Sequence, residues 1–186
     1  ATELRSQSPE REVVYLTDGS RYVPRLQLQP APAEHQAKNS EATDVRLDFK
    51  HAGQLRNLQW CEVKLPPLEA GQIKVRIHAT GLNFRDVMYT MGMLSDEAVE
   101  NGFAGASLGL EFAGVVESTA ANVSDYKVGD RVVGFGAHSF GTHTISDSSA
   151  MAVIPDFIDF EAAATIPSNF FTVYYALKQL AQLEAG

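Results

Sequence analysis

A short, mostly apolar stretch, residues 81–92 (GLNFRDVMYTMG), contains one amide and two oppositely charged side chains. Asn83 follows a turn glycine and could cap a first helical turn by accepting a backbone N–H bond. Arg85 could reach a phosphate group or pair with a carboxylate such as Asp86 or Glu111, and we favour the pairing. The stretch has almost no polar face, which predicts a buried helix whose charges need a partner or a purpose.

The cysteine and histidine residues of the sequence do not indicate a disulfide or a metal site. Cys61 is the single cysteine, which excludes an internal disulfide and a multi-cysteine zinc site. The five histidines do not cluster along the sequence: His35, His51, His78, His138 and His143. We expect His35, in the linker, and His78, on the wet face of a strand, to be structural or solvent-facing.

Charge and hydropathy limit the class of protein. The chain has 186 residues, 15 basic and 23 acidic side chains, and a net charge of −8. Because no basic run could neutralise phosphates, we expect neither nucleic acid nor an anionic membrane surface as a partner. No apolar run approaches the roughly 20 residues that span a bilayer, and the polar start is unlike a signal peptide. These features predict a cytoplasmic protein.

The elements that position the charged stretch belong to a β-rich region. Residues 73–79 alternate between apolar and polar side chains, which is typical of a strand with one wet face. Residues 110–117 are apolar on both faces, and Gly114 within them predicts a bulge or a tight bend. Several short strands with glycine turns predict a mainly β fold with a few helices, arranged as a partly closed barrel.

Both flanks of this region differ from it in composition. Residues 12–27 are typical of a hairpin around an Asp-Gly turn, after a disordered lead-in at 1–10 and before a linker at 30–43. Towards the other end, Asp159 is placed to cap a helix that Pro167 stops. An apolar helix is then expected from Ser168 to Leu183, with Gly186 as its stop, and we expect the chain to continue beyond it.

Four separated segments carry a family resemblance: 81–87 (GLNFRDV), 109–116 (GLEFAGVV), 128–132 (VGDRV) and 162–177 (AAATIPSNFFTVYYAL). They resemble the medium-chain dehydrogenase/reductase superfamily. Within it, the resemblance is to the enoyl reductase domains of type I polyketide and fatty acid synthases, over roughly residues 44–186.

The resemblance implies a domain plan. Residues 1–29, with the hairpin, are similar to the end of a ketoreductase structural subdomain, and residues 30–43 form the linker. Residues 44–167 would form a GroES-like substrate domain. Residues 168–186 would form the helix that leads into a Rossmann domain, whose GxGxxG loop is absent from this sequence.

The resemblance also implies which residues meet the cofactor, which in the complete domain would be NADPH. Asn83 would face the nicotinamide, Phe84 would wall the ring, and Thr172 would contact its carboxamide. Zinc-dependent members carry metal ligands where this chain has Asn83 and Leu110, so the resemblance points to the zinc-free branch, with no metal.

Three further residues are implied at the substrate pocket: Tyr89, Leu94 and Phe170. Leu94 stands where some synthase domains have a tyrosine, so no hydroxyl could donate a proton from that position. Tyr89 could equally be a core residue with its hydroxyl at an edge. No catalytic residue is assigned, because the family's proton donors are expected beyond Gly186.

The resemblance implies part of an NADPH-dependent enoyl reductase that reduces an enoyl chain on the phosphopantetheine of an acyl carrier protein. Neighbouring synthase domains would be further partners, the parent synthase could impose an oligomeric state, and the fragment alone is expected to be inactive. Two alternatives stay open: a freestanding quinone or enone reductase fragment, and a non-enzymatic structural or docking module. The sequence following residue 186 would separate them.

Overall fold

The computed structural model describes residues 14–15, 17–18, 20–22, 44–102 and 104–184. The chain divides into two compact units, Ala1–Ser40 and Glu41–Gly186. The predicted lead-in at 1–10 and linker at 30–43 lie outside the described residues. The domain boundaries that the sequence indicates therefore stay predictions.

A short hairpin is present in the first unit, where the Asp-Gly turn predicts one. Strands β1 (Val14–Tyr15) and β2 (Arg21–Tyr22) pair antiparallel. In the turn, Asp18 Oδ1 accepts the backbone N–H of Ser20 at 2.8 Å. This hydrogen bond favours the charged carboxylate and so lowers the pKa of Asp18.

The described part of the second unit is mainly strand. Its strands are β3 (Asp44–Asp48), β4 (Gln59–Val63), β5 (Gln72–Thr80), β6 (Glu111–Thr119), β7 (Arg131–Phe135), β8 (His143–Asp147) and β9 (Met151–Val153). Its helices are α1 (Phe84–Thr90), α2 (Asp96–Glu100), α3 (Phe160–Ala164) and α4 (Ile166–Tyr174), and a π-helical segment, Tyr175–Leu180, continues α4. Among the described residues, no helix combines the length and apolar character needed to cross a bilayer.

The described strands of the second unit form one open antiparallel sheet and one two-stranded ribbon. The sheet has the order β8-β5-β6-β7-β9, and β3 pairs with β4 in the ribbon. The ribbon joins the loop before β8 through the N–H of Leu47, which donates to Phe140 O at 2.7 Å. This open arrangement with few helices confirms the predicted mainly β, partly closed barrel.

The core lies where the apolar faces of the central strands meet. The predicted alternation in β5 is present, with Ile73 and Val75 fully buried and Arg76 exposed. They pack with three buried side chains of the neighbouring strands: Phe112, Val116 and Val132. A second buried cluster under α3 comprises Ala113, Ile154, Ala163 and Ala164.

Gly114 allows strands β5 and β6 to approach closely. A Cβ atom at this position would lie 2.2 Å from the backbone oxygen of Arg76, so any side chain would force the strands apart. The irregularity predicted near Gly114 is found in the opposing strand, where the register shifts between Ile77 and Ala79.

Helix α1 differs from the buried helix that the sequence predicts. Asp86 and Thr90 are buried, whereas Phe84 is 73% exposed and Leu82, just before the helix, is 76% exposed. The other four residues of α1 are half-buried, so the expectation fails at Phe84 alone, and the fully buried positions carry polar groups that bond to the backbone.

The late helices also differ from the expected boundaries. Asp159 caps α3 as predicted, with Oδ1 accepting the N–H of Ala162 at 2.7 Å. However, α4 begins at Ile166 and includes Pro167 in its first turn, where a missing N–H costs nothing. The regular helix does not run to residue 183, because its last part is π-helical and Gln182 adopts a positive φ of 51°.

Candidate functional site

The start of α1 is held by a buried carboxylate from within the helix. Asp86 is 2% exposed. Its Oδ2 accepts the N–H of Asn83 at 3.1 Å and its Oδ1 accepts the N–H of Gly109 at 2.9 Å. Asp86 therefore fixes the N-terminus of α1 against the segment that enters β6.

Arg85 points to backbone carbonyls instead of outward. Its guanidinium donates to Ser107 O at 2.5 Å and to Gly105 O, and it lies 3.8 Å from Asp86 Oδ1. It also lies over the ring of Tyr89, 5.1 Å from its centroid. These contacts agree with the structural interpretation of Arg85, because its donors are used to hold the loop between α2 and β6.

A second buried carboxylate, Glu111 at the start of β6, connects the start of α1 to α4, and most of the predicted site residues lie on or beside these two helices. Glu111 is 2% exposed. Its Oε1 accepts Nδ2 of Asn83 at 2.8 Å, and its Oε2 accepts the backbone N–H of Ser168 in α4 at 2.8 Å. Burying a carboxylate is costly unless it is well hydrogen-bonded, and each oxygen here has a donor.

Gly81 leaves the space that the Glu111 side chain occupies. A Cβ atom at residue 81 would lie 2.3 Å from Glu111 Oε1 and 2.6 Å from its carboxyl carbon. The turn glycine of the charged stretch is therefore required because the buried carboxylate passes directly beside its backbone.

A cavity of about 870 Å³ opens beside this connection. Its walls come from Leu110, from residues 133–135 of β7, from residues 149–152, and from α4 at residues 166–168, 170–172 and 174. The lining is mainly apolar, with hydroxyl groups supplied by serine, threonine and tyrosine. A cavity of this size and character fits an apolar small molecule or an acyl chain.

Two residues of α4 that line this cavity, Ser168 and Thr172, carry hydroxyl groups. Thr172 Oγ1 donates to Ser168 O at 2.6 Å, so its lone pairs stay available to a donor. Ser168 Oγ is buried and has no hydrogen-bond partner among the described residues.

Two of the six predicted site residues, Phe170 and Thr172, line the cavity. Asn83 caps α1 and connects to the cavity wall through Glu111, and Phe84 is exposed next to it. Tyr89 packs against Phe49 at 4.9 Å between ring centroids. Leu94 lies half-buried between α1 and α2. Their roles stay predictions.

Glu111 is the site residue that sequence reasoning did not assign, beyond noting it as one possible partner of Arg85. A signal was present, since an acidic residue that begins an apolar strand needs buried donors. Its partners could not be read from the pattern, because they lie 28 and 57 residues away along the chain. No group of three or more His, Cys, Asp or Glu side chains that could hold a metal ion occurs among the described residues.

Comparison with known proteins gives a family match. A family model described as the alcohol dehydrogenase GroES-like domain matches residues 69–153. The highly reducing polyketide synthase lcsB of Purpureocillium lilacinum is 33% identical over 187 residues, 99% of this chain and 7% of that protein. A phenolphthiocerol/phthiocerol polyketide synthase of Mycobacterium tuberculosis is 35% identical over 201 residues, 100% of this chain and 9% of that protein. The chain thus spans less than a tenth of these relatives.

Solved structures share the fold. The CurK enoyl reductase superposes with a TM-score of 0.72 at 29% identity, covering 78% of this chain and 45% of that one. The quinone oxidoreductase of Escherichia coli, solved with NADPH, gives a TM-score of 0.60 at 30% identity over 73% of this chain and 41% of that one. The chain carries the GroES-like fold of the medium-chain dehydrogenase/reductase superfamily, and it is similar to polyketide synthases and to enoyl reductases of that superfamily.

Proposed function

We propose that this chain is the substrate-side part of an NADPH-dependent enoyl reductase in a polyketide synthase. In this proposal it holds an α,β-unsaturated acyl thioester carried by an acyl carrier protein. The residues that follow would form the nucleotide-binding half, and neighbouring synthase domains would deliver the carrier. The observation that carries the proposal is the apolar cavity beside α4, in a fold shared with enoyl reductases.

The cavity suits an acyl chain. Phe135 and Met151 on one side and Phe170 on the other give apolar walls that would exclude water from the double bond. Reduction adds a hydride to the β-carbon and a proton to the α-carbon, with negative charge building on the thioester oxygen in between.

The residues at the site fit the nicotinamide end of the cofactor. NADPH, when bound, supplies the hydride. Asn83 uses one Nδ2 hydrogen for Glu111 and keeps the second, whereas Thr172 keeps acceptor lone pairs. A donor and an acceptor are the complement of a carboxamide, which has one acceptor oxygen and two N–H donors. Phe84, with its ring exposed beside Asn83, would cover one face of the ring.

The experiment that tests this proposal measures NADPH oxidation by a polypeptide that extends through the nucleotide-binding half. A crotonyl thioester of pantetheine or of an acyl carrier protein is the substrate. Turnover with the enoyl thioester, and none with its saturated analogue, is the expected result. A folded extended protein that binds NADPH but never reduces enoyl thioesters would overturn the proposal.

A second candidate, a quinone or enone reductase, follows from the shared fold with a quinone oxidoreductase. The same extended polypeptide distinguishes the two when 1,4-benzoquinone replaces the thioester. A kcat/KM at least about tenfold higher for the quinone would favour this second function, since tenfold corresponds to about 1.4 kcal/mol in the barrier.

A further inference from the structure

We propose that Glu111 is a positioning residue of the reductase. Its carboxylate fixes the orientation of the Asn83 amide and connects Asn83 to the first turn of α4, so that Asn83 and Thr172 meet the cofactor as one unit. The identity of the ligand in this inference rests on the proposed function. The contacts of Glu111 are observed in the structure and do not depend on that function.

The number of donors around Glu111 requires a carboxylate. Asn83 Nδ2 and the Ser168 backbone N–H each donate to a different oxygen, both at 2.8 Å. A glutamine has one acceptor oxygen and one NH₂ group, so at residue 111 it would leave one of the two donors unpaired. A buried unpaired donor is costly, and either Asn83 would turn or α4 would move.

The surroundings hold Glu111 in a single place. Its side chain passes beside Gly81, where no Cβ atom would fit. Its own backbone oxygen accepts the hydroxyl of Thr80 at 2.7 Å. Because both the backbone and the carboxylate of Glu111 are hydrogen-bonded, the carboxylate has a fixed position. It can therefore fix the orientation of the groups that donate to it.

The connection continues to the predicted cofactor contact in α4. Ser168 donates its N–H to Glu111 and accepts the hydroxyl of Thr172 on its carbonyl oxygen. Three consecutive hydrogen bonds therefore link Asn83 to Thr172, through the side chain of Glu111 and the backbone of Ser168. Groups linked in this way act together, and removing one member changes the others.

The first test needs no cofactor. In this chain labelled with ¹⁵N, we expect the Asn83 side-chain amide hydrogens to exchange with solvent about tenfold more slowly than in Glu111→Gln. Glu111→Asp, which keeps the charge but loses one methylene of reach, should also speed this exchange. Glu117→Gln, a matched change on the same strand, should leave Asn83 unaffected. Equal exchange in wild type and both Glu111 variants would overturn the inference.

The second test uses the extended polypeptide and a double-mutant cycle. We expect Glu111→Gln and Asn83→Ala each to slow single-turnover hydride transfer about tenfold, and the double variant to be no slower than Asn83→Ala alone. A Glu111 that only supports the fold would give additive losses near a hundredfold. Thermal melts of each variant identify any loss that is due to unfolding.

The outcomes separate this inference from the proposed function. If wild-type protein never oxidises NADPH with an enoyl thioester, the proposed function fails, and with it the cofactor-facing part of this inference. Slow Asn83 exchange would then still support the Glu111 connection itself. If the reductase works but the double-mutant losses are additive, the proposed function stands and Glu111 is not a positioning residue.

Discussion

At the scale of the residue, Thr172 is exposed, and its hydroxyl hydrogen is already used in a hydrogen bond within α4. Its side chain lines the cavity, and its Oγ1 donates to Ser168 O at 2.6 Å. The oxygen therefore offers lone pairs on the cavity side. A valine at this position would keep the shape and lose the acceptor.

We expect Thr172→Val to slow hydride transfer by roughly five- to tenfold in the extended polypeptide, the effect of one lost hydrogen bond to a ligand. Because Thr172 is exposed and valine has a similar helix propensity, the free energy of unfolding should change by less than about 1 kcal/mol. Single-turnover kinetics and chemical denaturation measure the two effects.

Thr165→Val is the matched control for this prediction. Thr165 is also exposed, and its hydroxyl donates to Ala162 O at 2.8 Å, but it does not line the cavity. The Thr165→Val protein should lose as little free energy of unfolding as Thr172→Val, and its rate of hydride transfer should not change. Full turnover in a stable Thr172→Val protein would remove Thr172 from the site.

At the scale of the element, four strands contribute ionisable side chains to one cluster. Lys74 of β5 donates to Glu117 of β6 at 2.7 Å and lies 3.7 Å from Asp44 of β3. His143 of β8 lies 2.5 Å from Asp44 and 3.4 Å from Glu117. The cluster connects the sheet to the β3–β4 ribbon.

The Lys74–Glu117 pair predicts a pH dependence of stability. The hydrogen bond from Lys74 lowers the pKa of Glu117, so the stabilisation is present above the unfolded value of about 4.5. It is lost as the pH falls through the lower folded-state value. The same bond raises the pKa of Lys74, so at the other extreme it is lost as the pH rises past the folded-state value of that lysine, above 10.5.

We expect Glu117→Gln to lower the free energy of unfolding at pH 7 by no more than about 1 kcal/mol, since the Glu117 side chain is 43% exposed and screened by water. The difference from wild type should shrink below pH 4.5 and vanish at lower pH. Urea denaturation at about pH 7, 5 and 3.5 measures it, with Glu62→Gln on exposed β4 as the control. A difference that grows on acidification would contradict the assignment.

The type of each secondary-structure element was easier to predict from the sequence than the residues that surround it in the fold. The alternation in β5 identified its buried residues, and Asp159 identified the start of α3, because both signals are local. The exposure of Phe84 in α1 was not predicted, since the charged residues beside it face inwards and bond to a loop about 20 residues away. Local patterns contain no information about such distant partners.

At the scale of the whole molecule, apolar surface is concentrated along α4 and its π-helical continuation. Large side chains there are between 44% and 69% exposed, among them Phe170, Phe171, Tyr174, Tyr175, Leu177 and Leu180. An apolar patch of this kind marks an interaction surface. In the proposed function, the nucleotide-binding half covers it and completes the cofactor site.

If a separate half binds the nucleotide, the 186-residue chain by itself should bind NADPH weakly. In the proposed function its residues contact only the nicotinamide end of the cofactor, and the sequence has no GxGxxG loop to bind the phosphates. Because a ligand stabilises by RT ln(1 + [L]/Kd), a Kd above the NADPH concentration gives almost no stabilisation. We expect a thermal shift below about 1 °C at millimolar NADPH, measured by differential scanning fluorimetry.

The extended polypeptide is the positive control, with a shift of several degrees expected under the same conditions. NADP⁺ and adenosine 2′,5′-bisphosphate, added separately, show which end of the cofactor contributes. A shift of several degrees in the 186-residue chain would mean that it binds the nucleotide without a second half. The assignment of this chain to the substrate side alone would then be wrong, because the phosphate contacts would have to come from its own residues.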